Sequence, residues 1–286
     1  MHKPTDPSER TWNCEPRRPL RCKASTIMLA FCPFVHAFSR AVGGVSASVV
    51  SNRLSPGRRL STAALWPVGI ALTSWNYMWR TTPMHRSEER GSRDDLPPEL
   101  PDAAMDDDVQ RVEDGVGPLF HRLYRATIRD ARLSPQGLIR RLSIDPNVAA
   151  PTELARFLKI GGAEGRLAVG DEFVVRMPGP WDGPVRVTAT TPTSFRFATL
   201  SGHLEAGQIE FRSTQGEGLL QFEIESWARS GDRLSNLLYH HLRMAKEVQL
   251  HMWTSFLEQV AKVSEGRLTG GIEIISRKVE DPLALP

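Results

Sequence analysis

The sequence predicts an α+β domain in which a curved antiparallel sheet wraps around a long C-terminal helix. Three observations predict it. Short runs between residues 172 and 225 alternate apolar and polar side chains with period two, as strands with one dry and one wet face do. Their connections, about three to eight residues long and holding Gly or Pro, suit antiparallel neighbours and leave no room for helical crossovers. Residues 231–263 then place apolar side chains at three- and four-residue steps, the period of an amphipathic helix. With 40% apolar and 24% charged residues, the 286-residue chain is near globular averages, which excludes wholesale disorder.

The N-terminal part reads differently. Ten Lys/Arg against Asp6, Glu9 and Glu15 leave residues 1–60 at +7, so the other 226 residues carry −4 of a net +3. The pI of 8.9 therefore belongs to this leader, and no nucleic-acid partner is expected for the body. Cys14, Cys22 and Cys32 also lie here, which excludes disulfides, Cys–zinc sites and thiol catalysis further along. Residues 1–60 read as a basic, disordered leader or a signal-like segment. In the second reading, apolar Ile27–Phe38 is followed by the small residues around Val45 and Ala47. A cytoplasmic location is expected, with export through a signal-like segment at 17–47 as the alternative.

Residues 61–108 read as a Trp-rich apolar segment followed by a Pro/acidic linker. Twenty uncharged residues between Arg59 and Arg80 include Trp66, Trp75 and Trp79, but Pro67, Gly69 and several polar residues dilute them. A partly buried or interfacial helix is expected ahead of a membrane span, with peripheral membrane or protein contact through the three tryptophans. Pro83, Pro97, Pro98, Pro101 and Asp106-Asp107-Asp108 mark residues 81–108 as the linker.

The body is assigned to 109–268. Leu119–Ile128 reads as a first strand, Ser134-Pro135 opens a short helix through Leu142, and Leu154–Ile160 reads as a second strand. Phe173, Val175 and Met177 then alternate with Glu172, Val174 and Arg176. Val185, Val187 and Ala189, then Phe195 and Phe197, then Ile209 and Phe211 continue the dry face. Leu220, Phe222 and Ile224 against Gln221, Glu223 and Glu225 make the cleanest strand. The helix follows Gly231-Asp232, with Asp232 as its N-cap, runs about nine turns and stops at Gly266. Residues 269–286 are assigned to a short C-terminal strand, Gly271–Val279, and a tail.

That order is the helix-grip layout, and the wording of the chain is familiar at several points. Gly170-Asp171-Glu172, Met177–Pro184, Phe195–Leu200, Gly202-His203-Leu204-Glu205-Ala206-Gly207 and Phe222–Arg229 resemble the bacterial and plant family called domain of unknown function 1990. The resemblance covers about Glu113 to Gly266. It implies membership of the START-like, pollen-allergen-like superfamily, whose members usually hold an apolar ligand between sheet and helix. The family has no assigned activity, so the resemblance implies no catalytic residue.

Candidate sites follow from the residues. His203 and Glu205 lie in a turn that Gly202 permits. There His203 has the chemistry to exchange protons while Glu205 orients its ring; the same pair in a purely structural turn bonds local backbone. Glu223 and Glu225 share one strand face, but their alternation with Leu220, Phe222 and Ile224 puts them on the wet side. Trp181, in a Pro/Gly-rich hairpin, reads as a lid or a turn plug. His240 and His241 are adjacent on the helix and cannot both face one ligand, while His241 and Trp253 flank the apolar stripe. No phosphate loop, GxGxxG, HExxH or GxSxG is present, and no metal or cofactor is expected.

The expected function is non-catalytic binding of a small lipophilic ligand in a sheet–helix cavity. Its expected lining is Phe173, Val175, Val187, Phe195, Phe197, Phe211, Phe222, Leu238, Leu242, Met252 and Trp181. Two alternatives stay open. One is a cofactor-independent enzyme using the same cavity with His203 and Glu205 as proton-transfer groups. The other is a protein–protein interaction module docking through residues 66–79.

Overall fold

A computed structural model describes residues 82–152, 154–177, 182–231 and 244–280, all within the compact unit Asn52–Pro286. The expected leader, the Trp-rich segment with Trp66, Trp75 and Trp79, the Asp232 cap, His240, His241, Trp181, Leu238 and Leu242 lie outside the described residues.

Nine strands form one large curved sheet. They are β1 (Met84–Arg90), β2 (Val116–Arg129), β3 (Arg156–Gly161), β4 (Glu172–Arg176), β5 (Asp182–Thr190), β6 (Ser194–Thr199), β7 (Glu205–Gly216), β8 (Leu219–Ser230) and β9 (Arg267–Val279). Their order is β1-β9-β2-β8-β7-β6-β5-β4-β3. Every neighbouring pair is antiparallel except β1 with β9, which is parallel. The hairpin between β7 and β8 turns on Glu217 and Gly218, both at positive φ (53° and 77°), the two-residue geometry that matches strand twist. Among the described residues two α-helices accompany the sheet: α1 (Pro135–Ile144) and α2 (Met244–Val263). Ser134 caps α1 by accepting the Gly137 N–H at 3.1 Å, with Pro135 fixed in the first turn. Among the described residues no helix is long and apolar enough to cross a membrane.

The strand periodicity puts one face to work as the core. Phe157, Phe173, Phe195, Phe197, Phe211 and Phe222 lie in one apolar cluster with Leu138, Ile139 and Leu142 of α1. The same cluster takes Leu250, Met252, Trp253, Phe256, Leu257, Val260 and Ala261 of α2. Phe256, Leu257 and Val260 are fully buried, at roughly 1.5–3 kcal/mol each relative to exposure. Rings meet directly, as in Phe195–Phe211 (4.9 Å, stacked) and Phe211–Phe256 (5.4 Å, tilted).

Two segments differ from their sequence-based reading. The C-terminal strand starts at Arg267, not Gly271. Gly270 and Gly271, at φ 74° and 84°, sit where the β2–β9 register shifts, so the glycine pair marks a bulge inside the strand rather than its beginning. The strand is also integral to the sheet, seated between β1 and β2.

The expected linker at 81–108 contains β1 and then a strap across the sheet's other face. Ser92 and Asp95 close a reciprocal cap, the Gln208 side chain donates to Pro98 O (2.9 Å), and Arg186 holds Asp106 (2.6 Å). Gln110 exchanges backbone bonds with Thr199 and Gly207, and Arg229 donates to Val112 O and Gly117 O. Leu96, Leu100, Met105, Val109 and Val112 supply small apolar contacts beneath it, reaching Trp227, Ala198 and Leu200. Prolines and charges gave no period to read, yet the carbonyls of Pro98, Gln110 and Val112 each accept a hydrogen bond from the sheet.

Candidate functional site

His203 and Glu205 sit where β6 turns into β7, with Gly202 at φ 94°. His203 Nδ1 lies 2.9 Å from the Glu205 backbone N and 3.0 Å from its O, so the main chain of Glu205 engages that nitrogen in either tautomer. Burial pushes the His203 pKa down, and the nearby Glu205 charge only partly offsets it. The orienting contact on the ring is thus the main chain of Glu205, not its carboxylate. That carboxylate accepts from Gln249 Nε2 at 3.1 Å and lies 3.9 Å from Arg122. His203 also lines an open hollow of about 690 Å³ between the turn and the strap, shared with Asp106, Asp107, Arg111 and Asp114. Asp106 is engaged by Arg186 and Asp114 by Arg111.

Glu223 and Glu225 are not on a solvated face. Glu223 is buried, bonded to Arg125 (2.7 Å) and Arg212 (2.6 Å). Glu225 accepts from His121 Nε2 at 2.8 Å, and the other ring nitrogen meets Asp95 of the strap at 2.7 Å. Two acceptors on two nitrogens require the imidazolium. Burial alone would lower the His121 pKa, but the bonds to Glu225 and Asp95 outweigh it and raise the value above 6.5. Burial alone would raise Glu225, yet the His121 bond and the Arg212 charge bring its carboxyl below the usual range. Trp227, which follows the same parity, stacks on His121 with centroids 5.2 Å apart and rings 6° from parallel. Alternation read this face as wet, but Glu223 is enclosed by Arg125 of β2 and Arg212 of β7, while Glu225 is reached by the strap through His121 and Asp95. Glu223 ties neighbouring strands together, and His121 ties strap to sheet.

Of the expected ligand lining, Phe173, Val175, Val187, Phe195, Phe197, Phe211, Phe222 and Met252 fall together in the sheet–helix interior. The interior also holds Arg122 and Ser226, which the sequence reading passed over, and Trp253, which it placed beside the apolar stripe. On β2, Phe120, Arg122, Tyr124, Ala126 and Ile128 share one parity, so Arg122 is a charge in an apolar series. Its Nη1 donates to Gln249 of α2 at 3.1 Å, and the residue is 7% exposed. Ser226 follows Phe222 and Ile224 on β8, pairs with Arg122 across β2 and with Ile209 across β7, and is 3% exposed. Trp253 of α2 packs edge-on against Phe211 at 5.6 Å and is 6% exposed. Among the described residues, neither Ser226 Oγ nor Trp253 Nε1 has a hydrogen-bond partner. A polar residue interrupting an apolar parity series was the signal available for Arg122 and Ser226. Among the described residues no cluster of His, Cys, Asp and Glu is arranged to hold a metal ion.

No curated protein matches the chain. Among solved structures it is similar to protein Ms6760 from Mycobacterium smegmatis, at 17% identity over 55% of this chain and 95% of that one, with a TM-score of 0.34. It is also similar to Ara h 8.0201 (9% identity, 51% and 98% covered, TM-score 0.35). A third is the hypothetical protein jhp0584 from Helicobacter pylori (8% identity, 50% and 86% covered, TM-score 0.38). Residues 153–259, from β3 through most of α2, match the model of the family described as "Domain of unknown function (DUF1990)".

Proposed function

We propose that the protein binds a small lipophilic molecule, without turning it over, between the concave sheet and α2 in a helix-grip arrangement. The observation that carries this reading is the aromatic interior. Six phenylalanines from β3, β4, β6, β7 and β8 face Trp253 and Phe256 of the helix laid over them. The proposed lining is the buried set from Phe173 to Met252, joined by Trp181, Leu238 and Leu242. The proton-transfer alternative would work through His203 Nε2 with the Glu205 main chain as the orienting group, because the Glu205 carboxylate is engaged by Gln249.

Native mass spectrometry of the full chain, paired with solvent extraction, tests this. One small molecule per chain, or saturable uptake of the neutral lipophilic dye Nile red, is the expected result. A ligand-free chain that also takes up no Nile red would overturn it.

A further inference from the structure

The unpartnered groups in the interior say more about the ligand. Trp253 Nε1–H is a donor only, is buried, and stands among phenylalanine rings with no acceptor among the described residues. Ser226 Oγ is the second such group. Its cross-strand partner Ile209 lies two residues along β7 from Phe211, the residue against which Trp253 packs. Leaving a buried donor unmatched costs about 1–3 kcal/mol, and a purely hydrocarbon guest would leave both groups in that state. The charges of this interior already face one another: Arg122 and Glu205 lie 3.9 Å apart, and Gln249 hydrogen-bonds each of them. An ionised guest would add a charge with no counterpart, at a large desolvation cost.

Resting on the sheet–helix reading above, we infer that the ligand is an uncharged lipophilic molecule carrying a hydrogen-bonding oxygen. A carbonyl, ester or hydroxyl oxygen accepts from Trp253 Nε1–H, with Ser226 Oγ as the second polar contact. The aliphatic or ring portion lies among the phenylalanines. The interior thus discriminates by polarity at one end and by apolar packing at the other, because a ligand without the oxygen leaves the protein's own groups unpaired.

The test uses the full chain and three probes of matched length, 2-undecanone, undecane and undecanoate, competing with bound Nile red. The ketone is expected to displace the dye best, with undecane and undecanoate each weaker by about fivefold or more. Ser226→Ala and Trp253→Phe should each weaken the ketone by about twofold to tenfold while leaving undecane unchanged. Circular dichroism establishes that both variants are folded. Ser226→Ala is the cleaner of the two because it removes only the hydroxyl, and without ligand it should melt no lower than the parent. Equal binding of ketone and alkane, tightest binding of undecanoate, or variants that shift all three probes alike would overturn the inference and leave the sheet–helix reading standing. Failure of Nile red itself to bind would remove both.

Discussion

Replacing His121 with Leu tests whether the strap is held by charge. His121 and Asp95 are 8% and 9% exposed in their side chains and Glu225 is 17% exposed, so both carboxylates lose their imidazolium in a largely dry setting. Breaking a buried pair from one side costs about 3–5 kcal/mol. Arg277 remains 3.5 Å from Asp95 and Arg212 remains 3.2 Å from Glu225, which places the variant near the lower end, about 3 kcal/mol. For a unit of this size that is a fall of about 6–12 °C in melting temperature. The loss also has a pH signature. The folded-state pKa of His121 lies above its unfolded 6.5, so its contribution is complete below 6.5 and fades as pH rises through the folded value. Calorimetry at pH 6 and at stepwise higher pH should show the gap between parent and variant narrowing. A gap under about 1 kcal/mol, or one that does not change with pH, would refute the reasoning.

Other expectations follow from neighbouring geometry. Asp95 and Glu225 have folded pKa values below their usual 3.8 and 4.5, so their stabilisation is complete above those values and is lost as pH falls through the folded ones; amide-exchange protection factors across residues 91–112 should therefore fall at acid pH before those of β6–β8. A Cβ at Gly183 would stand 3.0 Å from His203 Nε2. Gly183→Ala should therefore cost about 1–2 kcal/mol in the parent and clearly less in a His203→Ala background, read as a double-mutant cycle in urea. Asn147 bonds both backbone groups of Phe157 on edge strand β3, through Nδ2 to the carbonyl (2.9 Å) and Oδ1 from the N–H (2.8 Å). Asn147→Ala should expose that edge and increase concentration-dependent association in sedimentation velocity.

The strands were legible because alternation survives wherever one face is buried: Phe222 and Ile224 pointed inward as their spacing required, and β4 to β8 followed. What alternation could not reveal was a second covering layer. Glu225 looked solvated because the strap that reaches it through His121 is built from capped turns, prolines and single contacts, none of which has a period, and Glu223 because the arginines enclosing it come from neighbouring strands. The site was half legible for a related reason. Its phenylalanines announce themselves by type, whereas Arg122 and Ser226 belong to the interior by position alone, and a lone polar residue in an apolar series reads as noise until its partners are placed. His203 and Glu205 share one turn, but spacing does not say whether a side chain or a main-chain group makes the contact.

The seating of β9 between β1 and β2 has a consequence for how the chain reaches this state. Glu89 and Arg277, joined across that edge, are 188 positions apart, and Arg125 reaches Glu273 across 148. During synthesis β1 and β2 therefore emerge long before β9, and hydrogen bonding along β1 waits for β9 to leave the ribosome. The meander from β3 to β8 has only local pairings and is free to assemble earlier. β1 and β9 act as a clasp, and a nascent chain stalled before residue 267 holds β1 and one side of β2 as open template.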